Sequence, residues 1–212
     1  PGLSDHQALH VAWHPAILPR HAGKYGRPVT DERAAPPTGA RLDLLRRLGF
    51  DTLEHDSHVP FLSHLLGTRR LLVEWGERPA LCDAGLFHSA YGTEYFPHTT
   101  AVDRAEVQTV IGTEAEQVVW WWCNVRRDTF STSSESGATA TVVDRTSGDL
   151  VTLDARGVTD LATLWAADTV EQLARMAPDE RDFARNLHTV LWCASPAAQA
   201  AARVVLPLLD QP

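Results

Sequence analysis

Lysine is almost absent from this 212-residue chain: Lys24 is the sole one, and arginine supplies the rest of the 19 basic residues, set against 27 acidic ones. The net charge of −8 repels nucleic acid and anionic lipid unless a local patch overrides it. The sequence holds no such patch, since Arg69-Arg70 and Arg126-Arg127 are only pairs. Cysteine is scarce too. Cys82, Cys123 and Cys193 are odd in number, far apart and each in an apolar setting. They read as buried free thiols in a reducing compartment, not as a disulfide or zinc framework. No apolar run approaches the roughly 20 residues that cross a bilayer. A charged start followed by an apolar signal core is also missing, so the chain reads as cytoplasmic. Glycine-rich phosphate loops, a Ser-His-Asp order and Cys-x-x-Cys pairs do not occur.

What is present is ordinary globular material, 44% hydrophobic and 22% charged, which excludes wholesale disorder and fibrous repeats. The length supports one sizeable core without staples. Residues 1–40 stand apart. Six prolines (Pro1, Pro15, Pro19, Pro28, Pro36, Pro37) and four glycines punctuate them, so they read as an irregular arm with one short helix near 4–13. From Arg41 the spacing turns helical: Leu42, Leu45 and Leu48 lead to a stop at Gly49. Residues 61–75 carry a broad apolar face, Gly76 stops that helix and Pro79 opens the next over 79–90. Two more helices are expected over 101–112 and 113–124, with Thr113-Glu114-Ala115-Glu116 as a capping box. Residues 131–137 read as a polar loop. The β-branched runs 139–143 and 150–153 around Asp144-Arg145-Thr146-Ser147-Gly148-Asp149 read as a hairpin. Helices return over about 158–176, 179–193 and 196–209. The expected fold is mainly α: an N-terminal arm, 1–40, and one helical domain, 41–212, with a small β-hairpin insertion at about 138–154.

Ten histidines are the unusual feature. His64 opens one helix and His88 closes the next. Antiparallel helices joined by a short turn bring those two ends together, and neutral imidazole is the commonest metal ligand. Two imidazoles and a carboxylate make a divalent metal site. Asp168, after Trp165-Ala166-Ala167 in an apolar helix, is the carboxylate candidate, because such a residue is costly unless paired or bound to a cation. The alternative places it on an exposed face with Glu171 and Gln172. His6, His10 and His14 repeat at helical spacing, but Pro15 limits that helix and the three read as an adventitious surface cluster.

The strings His64-Leu-Leu-Gly-Thr and Phe87-His88-Ser89-Ala-Tyr-Gly-Thr93, with Asp168 later in a helix, resemble the HD-domain superfamily of metal-dependent phosphohydrolases. That family's pattern is a His opening a helix, a His-Asp pair closing the next and a later helical Asp. The resemblance covers roughly residues 41–176 and implies an HD-like helical bundle whose metal ligands are His64, His88 and Asp168. Ser89 departs from the pattern. It stands where the family has the Asp that bridges two metals, and a hydroxyl cannot supply that charge. The two-metal clamp of a hydrolase is thereby put in doubt. Two His and one carboxylate with open positions is the set favoured by non-haem Fe(II) oxygenases, and some relatives of HD hydrolases are iron oxygenases.

The expected protein is thus a mononuclear enzyme with one divalent ion, Fe, Mn or similar. It acts on a small molecule, by hydrolysis or by dioxygen-dependent oxidation; a non-catalytic module that binds a small molecule or a partner is the alternative. No nucleic acid or membrane partner is expected, and a homodimer is left open. His58 is a candidate catalytic base or added ligand, His55 and His98 weaker ones. Tyr91 is a candidate donor of a hydrogen bond or proton, and Thr93 lines the site mouth. Trp122, from Trp120-Trp121-Trp122, and Arg127 are candidates for binding substrate, against core packing for the first and plain surface charge for the second.

Overall fold

Helix α1 (Gly39–Arg47) turns Leu44 and Leu45 into the core. It ends in a Schellman motif: Gly49 takes φ 84°, its N–H donates to the Arg46 carbonyl, and the Phe50 N–H donates back to Leu45. The left-handed φ is what reserves that position for glycine. Helix α2 (Phe61–Glu74) ends the same way at Gly76, with φ 77°. Pro79 then opens α3 (Pro79–Phe87), where a missing N–H costs nothing. In this computed structural model the described residues are 37–55, 59–97, 101–133, 139–173, 175, 176 and 178–207, all within the unit Glu32–Pro212. Most of the arm expected over 1–40 lies outside them, as do His6, His10, His14, His58 and His98.

The fold is mainly helical, with a single sizeable hairpin among the described residues. Helices α4 (Arg104–Ile111) and α5 (Thr113–Asn124) share Gly112 as the hinge between them. Asp103 caps α4 by accepting the Ala105 N–H. The capping box expected at Thr113 does not form. Gly112 is the N-cap, Thr113 is already inside the helix, and the Glu116 carboxylate is taken by Arg104, Gln108 and Tyr91. Helix α6 (Arg127–Ser133) replaces the front of the expected polar loop. Phe130 anchors it in the core, its ring stacked with Trp165 at 6.4 Å. A two-residue pairing of β1 (Glu54–His55) with β2 (Val59–Pro60) was not legible in the sequence.

The hairpin forms as expected: β3 (Ala140–Val143) pairs antiparallel with β4 (Leu150–Leu153), Ala140 opposite Leu153. Asp144 Oδ1 accepts from the N–H groups of Thr146 and Ser147 and so shapes the turn. Arg145 reaches out of it. Its guanidinium donates to the carbonyls of Cys123 and Gly92, at 2.5 and 3.0 Å. The insertion thereby ties the end of α5 to the turn that follows α3.

Helix α7 (Ala155–Leu173) is apolar on nearly every side and runs through the core. It packs on α2, α3 and α5. The single helix expected over 179–193 is broken instead into a 3-10 stretch (Pro178–Asn186), a short α8 (Leu187–Val190) and a 3-10 turn (Leu191–Cys193). Local side chains compete for the carbonyls there. His188 bonds that of Arg185, and Thr189 Oγ1 donates to that of Asn186. Helix α9 (Pro196–Val205) closes the described chain. Cys82 and Cys123 are buried free thiols, whereas Cys193 is only half-buried. No helix among the described residues is long and apolar enough to cross a membrane.

Candidate metal centre

His64 lies in the first turns of α2, His88 caps the C-terminus of α3, and Asp168 projects from α7. The close crossing of α2 and α3 depends on Gly85, where any Cβ would run into Leu72. All three polar residues are buried. His64 Nε2 is 3.1 Å from His88 Nε2 and 3.1 Å from Asp168 Oδ1, and His88 Nε2 is 3.2 Å from the same oxygen. The three atoms form a nearly equilateral triangle, a group able to hold a metal ion.

The hydrogens of these imidazoles follow from their outer partners. His88 Nδ1 faces the Gly85 carbonyl at 2.7 Å. A carbonyl only accepts, so Nδ1 carries the hydrogen. His64 Nδ1 faces Glu171 Oε2 at 2.5 Å, and a carboxylate likewise accepts. In the neutral rings both Nε2 lone pairs therefore point at each other and at Asp168 Oδ1. Three electron-rich atoms packed this closely repel unless a cation sits among them. A proton is one such cation. Burial alone would lower the His64 pKa, but hydrogen bonds and charge from Asp168 and Glu171 outweigh it and raise it to about 9. Asp168 moves the other way: burial would raise its carboxyl, and the two imidazoles hold it far below the usual carboxylate range.

A metal ion is the other such cation, and the donor set fits it. Two imidazole nitrogens and one carboxylate oxygen lie close enough together for one divalent ion to be held by all three. The outer shell is complete as well. A histidine ligand ordinarily donates its second N–H to a carboxylate or carbonyl, and Glu171 and Gly85 take those parts. Arg175 pairs with Glu171 at 2.5 Å. Gln172 donates to Asp168 Oδ1 at 3.1 Å. Ser89 is buried beside His88.

Glu171 entered the sequence reasoning only in the alternative, on an exposed face with Asp168 and Gln172. Its place depends on Gly67, one turn after His64. A Cβ there would stand 2.7 Å from Glu171 Oε1 and 2.8 Å from Cγ. The bare backbone is the notch in which the carboxylate lies. Glu171→Gln removes the charge and keeps the size. Its expected effect is a fall of about 10- to 100-fold in metal affinity, read by competition with a chelator. An unchanged affinity would mean that Glu171 only fills the notch.

The other candidate residues fall into two groups. Trp122 meets His88 edge-on, with ring centroids 6.0 Å apart, and Arg127 stacks over Trp122 at 4.0 Å. Trp122 thus borders the triangle, and Arg127 is related to it only through that ring. Tyr91 and Thr93 are engaged elsewhere. The Tyr91 hydroxyl donates to Glu116 Oε1 at 2.9 Å, and burial together with that carboxylate pushes its pKa up. Thr93 Oγ1 accepts the Phe96 N–H at 2.9 Å and closes a turn. His58 and His98 lie outside the described residues, and of His55 only the backbone is described.

Residues 44–127 match a domain of unknown function, DUF6817. The matched stretch, less than half of the chain, runs from α1 to the first residue of α6. It includes His64 and His88 but not Asp168. No curated protein and no solved structure matches the chain.

Proposed function

We propose that the protein is a mononuclear metal-dependent enzyme acting on a small molecule, with His64, His88 and Asp168 as ligands. The observation that carries this reading is the convergence of two Nε2 lone pairs and one carboxylate oxygen, buried and tied from behind. Three protein ligands on one side leave coordination positions for substrate or solvent. A bound divalent ion supplies Lewis-acid or redox chemistry. The chain's own residues do the rest. Glu171 and the Gly85 carbonyl fix the imidazole tautomers, while Trp122 borders the centre with apolar surface. The order of ligands, a His opening a helix, a His closing the next and a later helical Asp, is also that of the HD-domain superfamily.

Within this reading, dioxygen-dependent oxidation is favoured over two-metal hydrolysis by one observation: the ligand group is two His and a single carboxylate, the set that suits non-haem Fe(II) with open positions, with no bridging carboxylate beside it among the described residues. Metal content of the tag-free protein tests this, together with the visible spectrum of the Co(II)-substituted form. About one equivalent of iron or manganese is expected, with the weak Co(II) bands of octahedral coordination. Intense tetrahedral bands would overturn the oxidative reading. Two equivalents would restore the two-metal hydrolase. No metal after reconstitution would leave a binding module.

A further inference from the structure

Asp168 and Glu171 place two carboxylates three residues apart on α7, both turned toward His64. Each is answered from four residues further on. Gln172 donates to Asp168 Oδ1 at 3.1 Å, and Arg175 donates to Glu171 Oε2 at 2.5 Å. Arg175 stands two residues beyond Leu173, where α7 ends, yet its own N–H donates to the Gln172 carbonyl at 2.9 Å. The chain is therefore still turning where the guanidinium reaches back. An ordinary i,i+4 pair lies in water and contributes little. Arg70 with Glu74 is one, 3.6 Å apart and mostly exposed. Arg175 is withdrawn further. Its Nε is buried and takes no hydrogen-bond partner among the described residues. Leaving that donor unused is a cost, accepted while a terminal nitrogen stays on one chosen oxygen.

That oxygen matters. Oε2 is the atom that accepts the His64 Nδ1 hydrogen, at 2.5 Å. The other oxygen, Oε1, lies over the bare backbone of Gly67. A carboxylate held only by His64 can swing about its own axis. With the Gly67 notch under Oε1 and Arg175 on Oε2, its plane is fixed at both ends. The two nitrogens of an imidazole belong to one rigid ring, so a group that holds Nδ1 also aims Nε2. Arg175 thus reaches the metal triangle through two hydrogen bonds in series, without touching it. Its charge taken alone has the opposite effect, because a cation near a metal site repels the ion. Positioning and plain charge therefore predict opposite signs.

We propose that Arg175 is a positioning residue of the metal centre: it keeps Glu171 Oε2 on His64 and thereby aims His64 Nε2 at the ion. The inference rests on the metal-centre reading. The test is titration of the full chain with Co(II) against a competing chelator, with the melting temperature of the metal-free protein measured on the same samples. Arg175→Gln should weaken Co(II) binding about tenfold, the lower end of what an outer-shell partner is worth. Arg175→Lys, which keeps a charged donor and loses the fork, should recover part of that loss. In a Glu171→Ala background, where the carboxylate is gone, Arg175→Gln should change the affinity by less than about twofold. Tighter Co(II) binding by Arg175→Gln would reduce the arginine to a like charge and overturn the inference. So would a tenfold loss that persists in the Glu171→Ala background, since the arginine would not then act through Glu171. A loss that follows a collapse of the metal-free melting temperature, with no recovery in Arg175→Lys, would make the role one of folding and overturn it too. Co(II) uptake by the parent with Arg175→Gln unchanged sinks this inference and leaves the centre standing. No uptake by the parent sinks both.

Discussion

Replacing His88 with alanine is expected to give a protein that folds and holds no metal. The imidazole supplies one of three converging donor atoms, and its Nδ1 is pinned by the Gly85 carbonyl. Loss of a mere outer-shell partner typically costs 10- to 100-fold in metal affinity, so loss of a ligand should cost more than about 100-fold. Folding should survive. The His88 backbone carbonyl, which accepts from Cys123 Sγ at 3.2 Å, is untouched, and Asp168 keeps His64 and Gln172 as donors. The expected destabilisation is about 1–3 kcal/mol, that of an ordinary buried truncation. Ser89→Ala is the control and should keep its metal, because a hydroxyl is not among the converging atoms. Two measurements check this: metal content by mass spectrometry, and the rise of Tm on adding metal, which follows from mass action in the parent and should vanish in His88→Ala. Full occupancy in His88→Ala would show that the triangle is not the binding site.

The helix pair behind that centre was legible because its punctuation is local. Gly76 must adopt a positive φ and Pro79 must start a helix, so α2 and α3 are forced into a hairpin, and His64 and His88 fall at its adjoining ends. Asp168 was half legible: a carboxylate in an apolar helix demands a partner, but local spacing does not say which face it takes. Glu171, named only in the exposed-face alternative, was left unplaced for the same reason. Three residues beyond Asp168 it looks like the continuation of a solvated face. What buries it is the Gly67 notch on α2, a feature of a distant segment that no pattern within α7 records. Glu116 shows the converse. Thr-x-x-Glu is a sound local signal for a cap, yet two donors from the preceding helix and Tyr91 compete for the same carboxylate and win. Helix α6 was missed because it is seven residues long and mostly polar, too short for a period to show.

Arg104→Ala should produce the largest loss of stability short of breaking the core. Glu116 is 0% exposed, and four donors converge on its carboxylate. Arg104 gives two, Nε to Oε1 at 2.6 Å and a terminal nitrogen to Oε2 at 2.8 Å. Gln108 and Tyr91 give one each, both at 2.9 Å. Removing the arginine leaves a buried charge with two neutral donors. Breaking such a pair costs about 3–5 kcal/mol, and the lower end applies because Arg104 is itself 37% exposed and partly screened. A loss of about 3 kcal/mol corresponds to a fall in Tm of roughly 10 °C for a domain of this size. Adding Glu116→Leu should recover much of it, since an apolar replacement of a buried pair is often neutral. The pH dependence has a definite sign. Burial alone would raise the Glu116 pKa, but Arg104, Gln108 and Tyr91 hold it below the ordinary glutamate value. A depressed folded pKa means that the contribution is fully present above the unfolded pKa, about 4.3, and is lost as pH falls through the folded one. In Arg104→Ala burial is less opposed, so the carboxyl protonates more readily. The gap between parent and variant in urea unfolding should therefore be widest at neutral pH and narrow steadily below about pH 5. A gap that does not change with pH would mean that the arginine acts through its stacking on Trp120, 4.0 Å away, and not through charge. The same network reaches the metal centre. Tyr91 follows His88 in the turn after α3 and is anchored on Glu116 Oε1, so a Glu116 carboxylate that shifts once Arg104 is gone disturbs the turn carrying one ligand. Arg104→Ala should accordingly weaken metal binding while leaving all three ligands in place.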